Sequence, residues 1–81
     1  MSAGQTGMQE IYSNKEYCFS EIRKVREKFG EKSTTFQEYK SMLHGLAYMY
    51  LYCPEEIKMI VLAHINELNR RSAHLFGKLP E

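Results

Sequence analysis

Aspartate is missing from this chain: all ten of its acidic residues are glutamates. EF-hand loops, Asp-held magnesium sites and Ser-His-Asp triads are thereby excluded. Cysteine is nearly as scarce, and Cys18 and Cys53 alone cannot supply the disulfide framework of a small secreted scaffold. No charged-then-apolar leader opens the sequence, so the expectation is a cytoplasmic chain with reduced thiols. The longest uninterrupted apolar run, Leu46 to Cys53, has eight residues, whereas a membrane-spanning helix needs about 20. Charge of one sign is not in excess either. Eleven Lys and Arg against ten Glu leave a net +1, so no long-range field steers the chain toward nucleic acid or anionic lipid. A glycine-rich phosphate loop is absent too, because Gly4 and Gly7 fall near the N-terminus, Gly45 inside a helical pattern, and Gly30 and Gly77 at helix ends.

What remains is an ordinary globular composition, 43% hydrophobic and 26% charged over 81 residues, enough for one small core. Residues 1–9 are small and polar without periodicity and read as a mobile tail; residues 10–81 read as a single helical domain. Three stretches carry the 3.6-residue period, predicting an all-α fold with helices at about 14–29, 35–52 and 54–76 in a small bundle completed by homodimerisation.

Each helix has its punctuation. Ser13 and Glu16 have capping-box spacing, and Gly30 is placed to end the first helix, whose apolar arc is Cys18, Ile22, Val25 and Phe29. Thr34 and Thr35, with Gln37 and Glu38 three residues beyond, start the second. Its core stripe is Phe36, Tyr39, Leu43, Leu46, Ala47 and Tyr50, with Met42, Met49 and Cys53 forming a second strip beside it. The tyrosine-rich run 47–52 also has β propensity, but nothing else in the chain offers a strand to pair with it. Pro54 stops the second helix and suits the N1 position of the third, which Gly77 ends. A helix spanning 54–76 would measure about 35 Å and overhang a globule of roughly 30 Å. That length, the second apolar strip, and the outward-pointing Met59 and Leu62 motivate the homodimer.

Candidate functional residues are then weighed against plainer roles. His64 falls on the third helix's stripe with Ile57, Ile60, Val61 and Leu68, where a structural histidine bonded to a tyrosine or backbone group outweighs a pH switch. Cys18, His44, Cys53, His64 and His74 match no metal-ligand spacing, so no metal or cofactor is expected. With chemistry left to His or Glu alone, the chain is not expected to be an enzyme. The polar face of the second helix carries Ser41, His44, Tyr48 and Tyr52, the composition of a protein contact. Gly45 costs about 1 kcal/mol in a helix, which close approach of another backbone would rationalise.

The leading expectation is a small protein-binding regulator, inhibitor or adaptor. It would contact its partner through His44, Tyr48 and Tyr52, with Arg23 and Arg26 as charged rim. The alternative is a nucleic-acid-binding or transcription-associated helical dimer gripping phosphates with Arg23, Lys24, Arg26, Arg70, Arg71 and Lys78, although interleaved glutamates blunt that attraction.

Overall fold

In a computed structural model, residues 10–29, 31 and 33–80 are described; the expectations for the tail at 1–9 and for Gly30 as a cap lie outside them. The fold is all-α, with no strand among the described residues. Helix α1 spans Lys15–Phe29, α2 spans Phe36–Tyr52 and α3 spans Lys58–Phe76, with a short 3-10 turn at Glu55–Ile57.

The starts and stops follow local chemistry. Asn14, not Ser13, caps α1: its Oδ1 accepts the Tyr17 amide at 3.1 Å, while the Ser13 hydroxyl donates to the Glu10 carbonyl and closes the preceding turn. At α2 the capping box is complete, with Glu38 N–H donating to Thr35 Oγ1 at 3.2 Å and Thr35 N–H donating to Glu38 Oε1 at 2.8 Å. Pro54 precedes the 3-10 turn as its cap instead of opening the third helix, so α3 begins four residues later than expected and has 19 residues. Gly77, at φ 73°, ends it in the left-handed conformation that a side chain would strain.

The shorter α3 measures about 28 Å and lies within a molecule of 42 × 26 × 18 Å. That is no longer than the roughly 30 Å globule against which the overhang was expected, so helix length gives no reason for a second copy.

Helices α2 and α3 form an antiparallel hairpin, whose seam is the most extensive contact in the molecule, and α1 packs across one side of it. The core consists of Cys18 and Ile22 from α1, Tyr39, Leu46 and Met49 from α2, Cys53 and Ile57 at the turn, and Val61 and Leu68 from α3. Two expected stripes are rotated. On α2, Ala47 is exposed, while in the strip assigned to a dimer partner Met49 and Cys53 are buried within the chain and Met42 is half-buried. On α3, Ile60 of the expected stripe is exposed and Ser72, outside it, is buried. Its hydroxyl donates to the Lys78 carbonyl at 2.8 Å, which satisfies the group inside the core.

Candidate functional site

Helix α1 is fastened by polar ties along its length to α3 and to the 3-10 turn that precedes it. Lys15 pairs with Glu56 at 2.8 Å. Arg26 Nη1 lies 3.5 Å from His64 Nε2. Arg71 donates to the Phe29 carbonyl at 2.6 Å and sits 5.0 Å from the Phe29 ring centroid. The tyrosine-side flank of α1 has no such series. There Lys28 reaches Glu38 at 3.8 Å, and beyond it a groove of about 280 Å3 opens between α1 and α2.

The groove is lined by Tyr12, Val25, Met42, Gly45, Leu46 and Met49, with Ser41, Lys24 and Lys28 at its edges. Its openness has a local cause. Gly45 supplies no side chain, and a Cβ built there would meet nothing within 4 Å. Among the described residues no backbone from outside its own helix approaches Gly45 closely, so they hold no compensation for a mid-helix glycine. Burial raises the Tyr12 hydroxyl above its ordinary pKa, with nearby Tyr17 adding to the effect, so Tyr12 stays neutral at the groove's end.

Of the expected contact residues, His44 and Tyr48 are exposed, and Tyr52 is half-buried on the same outer flank of α2. Tyr48 is 51% exposed, a large amphipathic ring offered to solvent. Arg23 and Arg26 do not rim this face. Helical spacing sets them on the α1 edge toward α3, where Arg26 meets His64. His64 itself is half-buried, not central to the core; its Nδ1 lies 2.9 Å from the Ile60 carbonyl, a local bond that suits the structural role.

The residues of the alternative set are largely engaged within the chain. Lys24 pairs with Glu21 at 3.1 Å, Arg70 and Arg71 both pair with Glu67, and Lys78 Nζ stands 4.3 Å from the Phe36 ring centroid. Arg70, Arg71 and His74 do line a larger cleft of about 740 Å3 between the ends of α1 and α3, over Phe29 and Phe76. Glu67 lies in the same cleft and is shared by the two arginines, Glu31 pairs with Lys28 outside it, and the Nε of Arg71 is buried without a hydrogen-bond partner among the described residues.

Both thiols are free and buried, and burial pushes each above the usual thiol range, as expected of inert core cysteines and not of nucleophiles. Among the described residues no three His, Cys or Glu side chains converge as metal ligands, and no helix is long and apolar enough to cross a membrane. Compared with family models, curated proteins and solved structures, the chain matches none.

The groove is not legible in the sequence alone. Gly45 is its one signal, since a glycine retained inside a helix calls for something close by; Tyr12, Val25 and Met42 carry none.

Proposed function

We propose that this protein acts by binding another protein and not by chemistry, as a small helical regulator, inhibitor or adaptor. The partner places an apolar side chain of a helix into the α1–α2 groove, and Tyr48 and His44 contact the surface around it. The observation that carries this reading is Gly45: a residue costing about 1 kcal/mol in a helix faces open space that no atom of the described residues fills. A partner side chain buried there, against Met42, Leu46 and Met49, would be the central anchor of the contact. Two buried, free thiols accord with a reducing cytoplasm.

The test compares capture from source lysate by the tagged protein and by its Gly45→Leu and Tyr48→Ala variants, with and without nuclease. Gly45→Leu fills the groove and improves helix propensity, so it should keep the helical circular-dichroism signal and the thermal midpoint while losing the captured protein. Tyr48→Ala should weaken capture. Equal capture by all forms would remove the groove from the mechanism, and capture that disappears with nuclease would move the assignment to the arginine set.

A further inference from the structure

The cleft between the ends of α1 and α3 shares no lining residue with the groove. Its volume of about 740 Å3 falls within the range of small-molecule sites, and its walls divide by chemistry. Phe29 and Phe76, the last residues of the two helices, form an apolar side together with Leu75, which is 53% exposed. Arg70, Arg71 and His74, from the end of α3, form a basic side.

On the basic side donors outnumber acceptors. Among the described residues Glu67 is the one carboxylate paired with either guanidinium, and it serves both. Arg71 gives another donor to the Phe29 carbonyl, and its buried Nε has no acceptor among those residues. Arg70 has only its share of Glu67, and its side chain, 73% exposed, is free to turn. His74 stands one turn further along the same face, exposed and without an ion pair among the described residues. The Thr34 hydroxyl is already given to the Lys28 carbonyl. Arg70 and His74 are therefore two neighbouring donors that the fold does not fully answer.

The same surroundings fix the ligand's charge at a single negative one. Glu67 and Glu31 both line the cleft, and the carbonyl ends of α1 and α3 bring negative partial charge to it. A polyanion such as nucleic acid would meet those carboxylates and find no basic track to follow on a chain whose net charge is +1. One carboxylate matches the fork of one guanidinium, and the apolar side suits a ligand whose body is itself apolar.

We propose that this cleft binds a carboxylate carried on an aromatic or branched apolar body. Arg70 turns from Glu67 to the ligand carboxylate and His74 donates to it from the next turn, while Glu67 stays with Arg71 and the body rests against Leu75 and Phe29. Two sources present that chemistry: the C-terminal residue of a peptide chain and a free arylalkanoate. With no residue in common, the cleft and the groove stand or fall independently.

NMR titration of the full chain, followed at backbone amides, tests it. N-acetylphenylalanine stands for a chain terminus and 3-phenylpropanoate for a free acid; N-acetylphenylalaninamide, inorganic phosphate and a thymidine oligonucleotide are the comparison probes. At least one acid should saturably shift the amides of residues 67–76, Phe29 and Glu31, and the tighter of the two names the source. The amide, which lacks the charge, should bind about tenfold more weakly or worse. Arg70→Gln should weaken acid binding about tenfold. Glu67→Gln removes the internal competitor for Arg70 and should tighten it, an opposite sign that a merely structural role for these two residues would not produce. Circular dichroism checks that both variants fold. The proposal is overturned if neither acid saturates, if the amide binds as well as the acid, if Arg70→Gln changes nothing or if Glu67→Gln fails to tighten binding. Tighter binding of phosphate or the oligonucleotide than of either acid also overturns it, in favour of a phosphate site.

Discussion

The two flanks of α2 are held by different physics. Toward α3 the seam is apolar and continuous. Tyr39, Leu46 and Leu68 are buried in the core, and the edge-to-face contacts of Phe76 with Phe36 and Tyr39, at 5.5 and 5.6 Å, close the far end. Toward α1 there is burial at Cys18 and Ile22, but the helix is positioned by its ties to α3 and stands off from α2 along the groove. Apolar burial is non-directional and rewards close packing everywhere. Charged hydrogen bonds fix a helix at a few points and leave the intervening space to side-chain size. The hairpin is therefore the stable unit, and α1 is the element whose placement decides what α2 shows to the outside.

Breaking the hairpin side should have the larger effect. Leu68 is fully buried, and Leu68→Ala should cost about 3 kcal/mol through lost transfer energy and a residual cavity, read as a shift in the urea midpoint at unchanged slope. Breaking the α1 side should cost less and act locally. Arg71→Met keeps much of the stem that covers Phe29 but removes the donor to its carbonyl, a loss of about 1.5 kcal/mol. Hydrogen exchange should then show faster opening of α1 amides while those of α2 and α3 keep their protection. Uniform loss across all three helices would mean that α1 is no separate unit, and the contrast between the flanks would collapse.

The same contrast explains what the sequence reveals and what it hides. Helix limits are legible where a few adjacent residues decide them, as at Thr35 with Glu38, at the Pro54 stop and at Gly77. The N1 assignment of Pro54 fails because a 3-10 turn at Glu55–Ile57 intervenes before α3. Periodicity announces that α2 has a wide apolar band, but which part of it is covered depends on where α1 comes to rest. That is set by contacts such as Arg71 with Phe29, 42 residues apart, and no local pattern encodes it. Hence periodicity puts Ala47 inside and Met49 on the outer strip, the reverse of the observed arrangement. His44 and Tyr48 can be placed on the outer face because a polar flank is defined by a single helix; the groove beside them needs two.

The smallest effect concerns the polar fastening at the start of α2. The backbone N–H of Thr35 donates to the Glu38 carboxylate and holds its pKa below the ordinary range, with Lys28 contributing and desolvation opposing. A carboxyl whose folded pKa is lowered binds its proton more readily in the unfolded chain. Its contribution is therefore complete above the unfolded pKa and is lost as pH falls through the folded value. Glu38→Gln keeps an oxygen for the Thr35 amide, and glutamine serves in a capping box, but it has no charge to titrate. Thermal midpoints of the two proteins should differ modestly at about pH 7 and converge toward about pH 2, as the wild-type carboxyl takes up its proton. A difference that stays constant across that range would assign the effect of the substitution to hydrogen-bond geometry alone and leave the ion at Glu38 without a part in fixing α2.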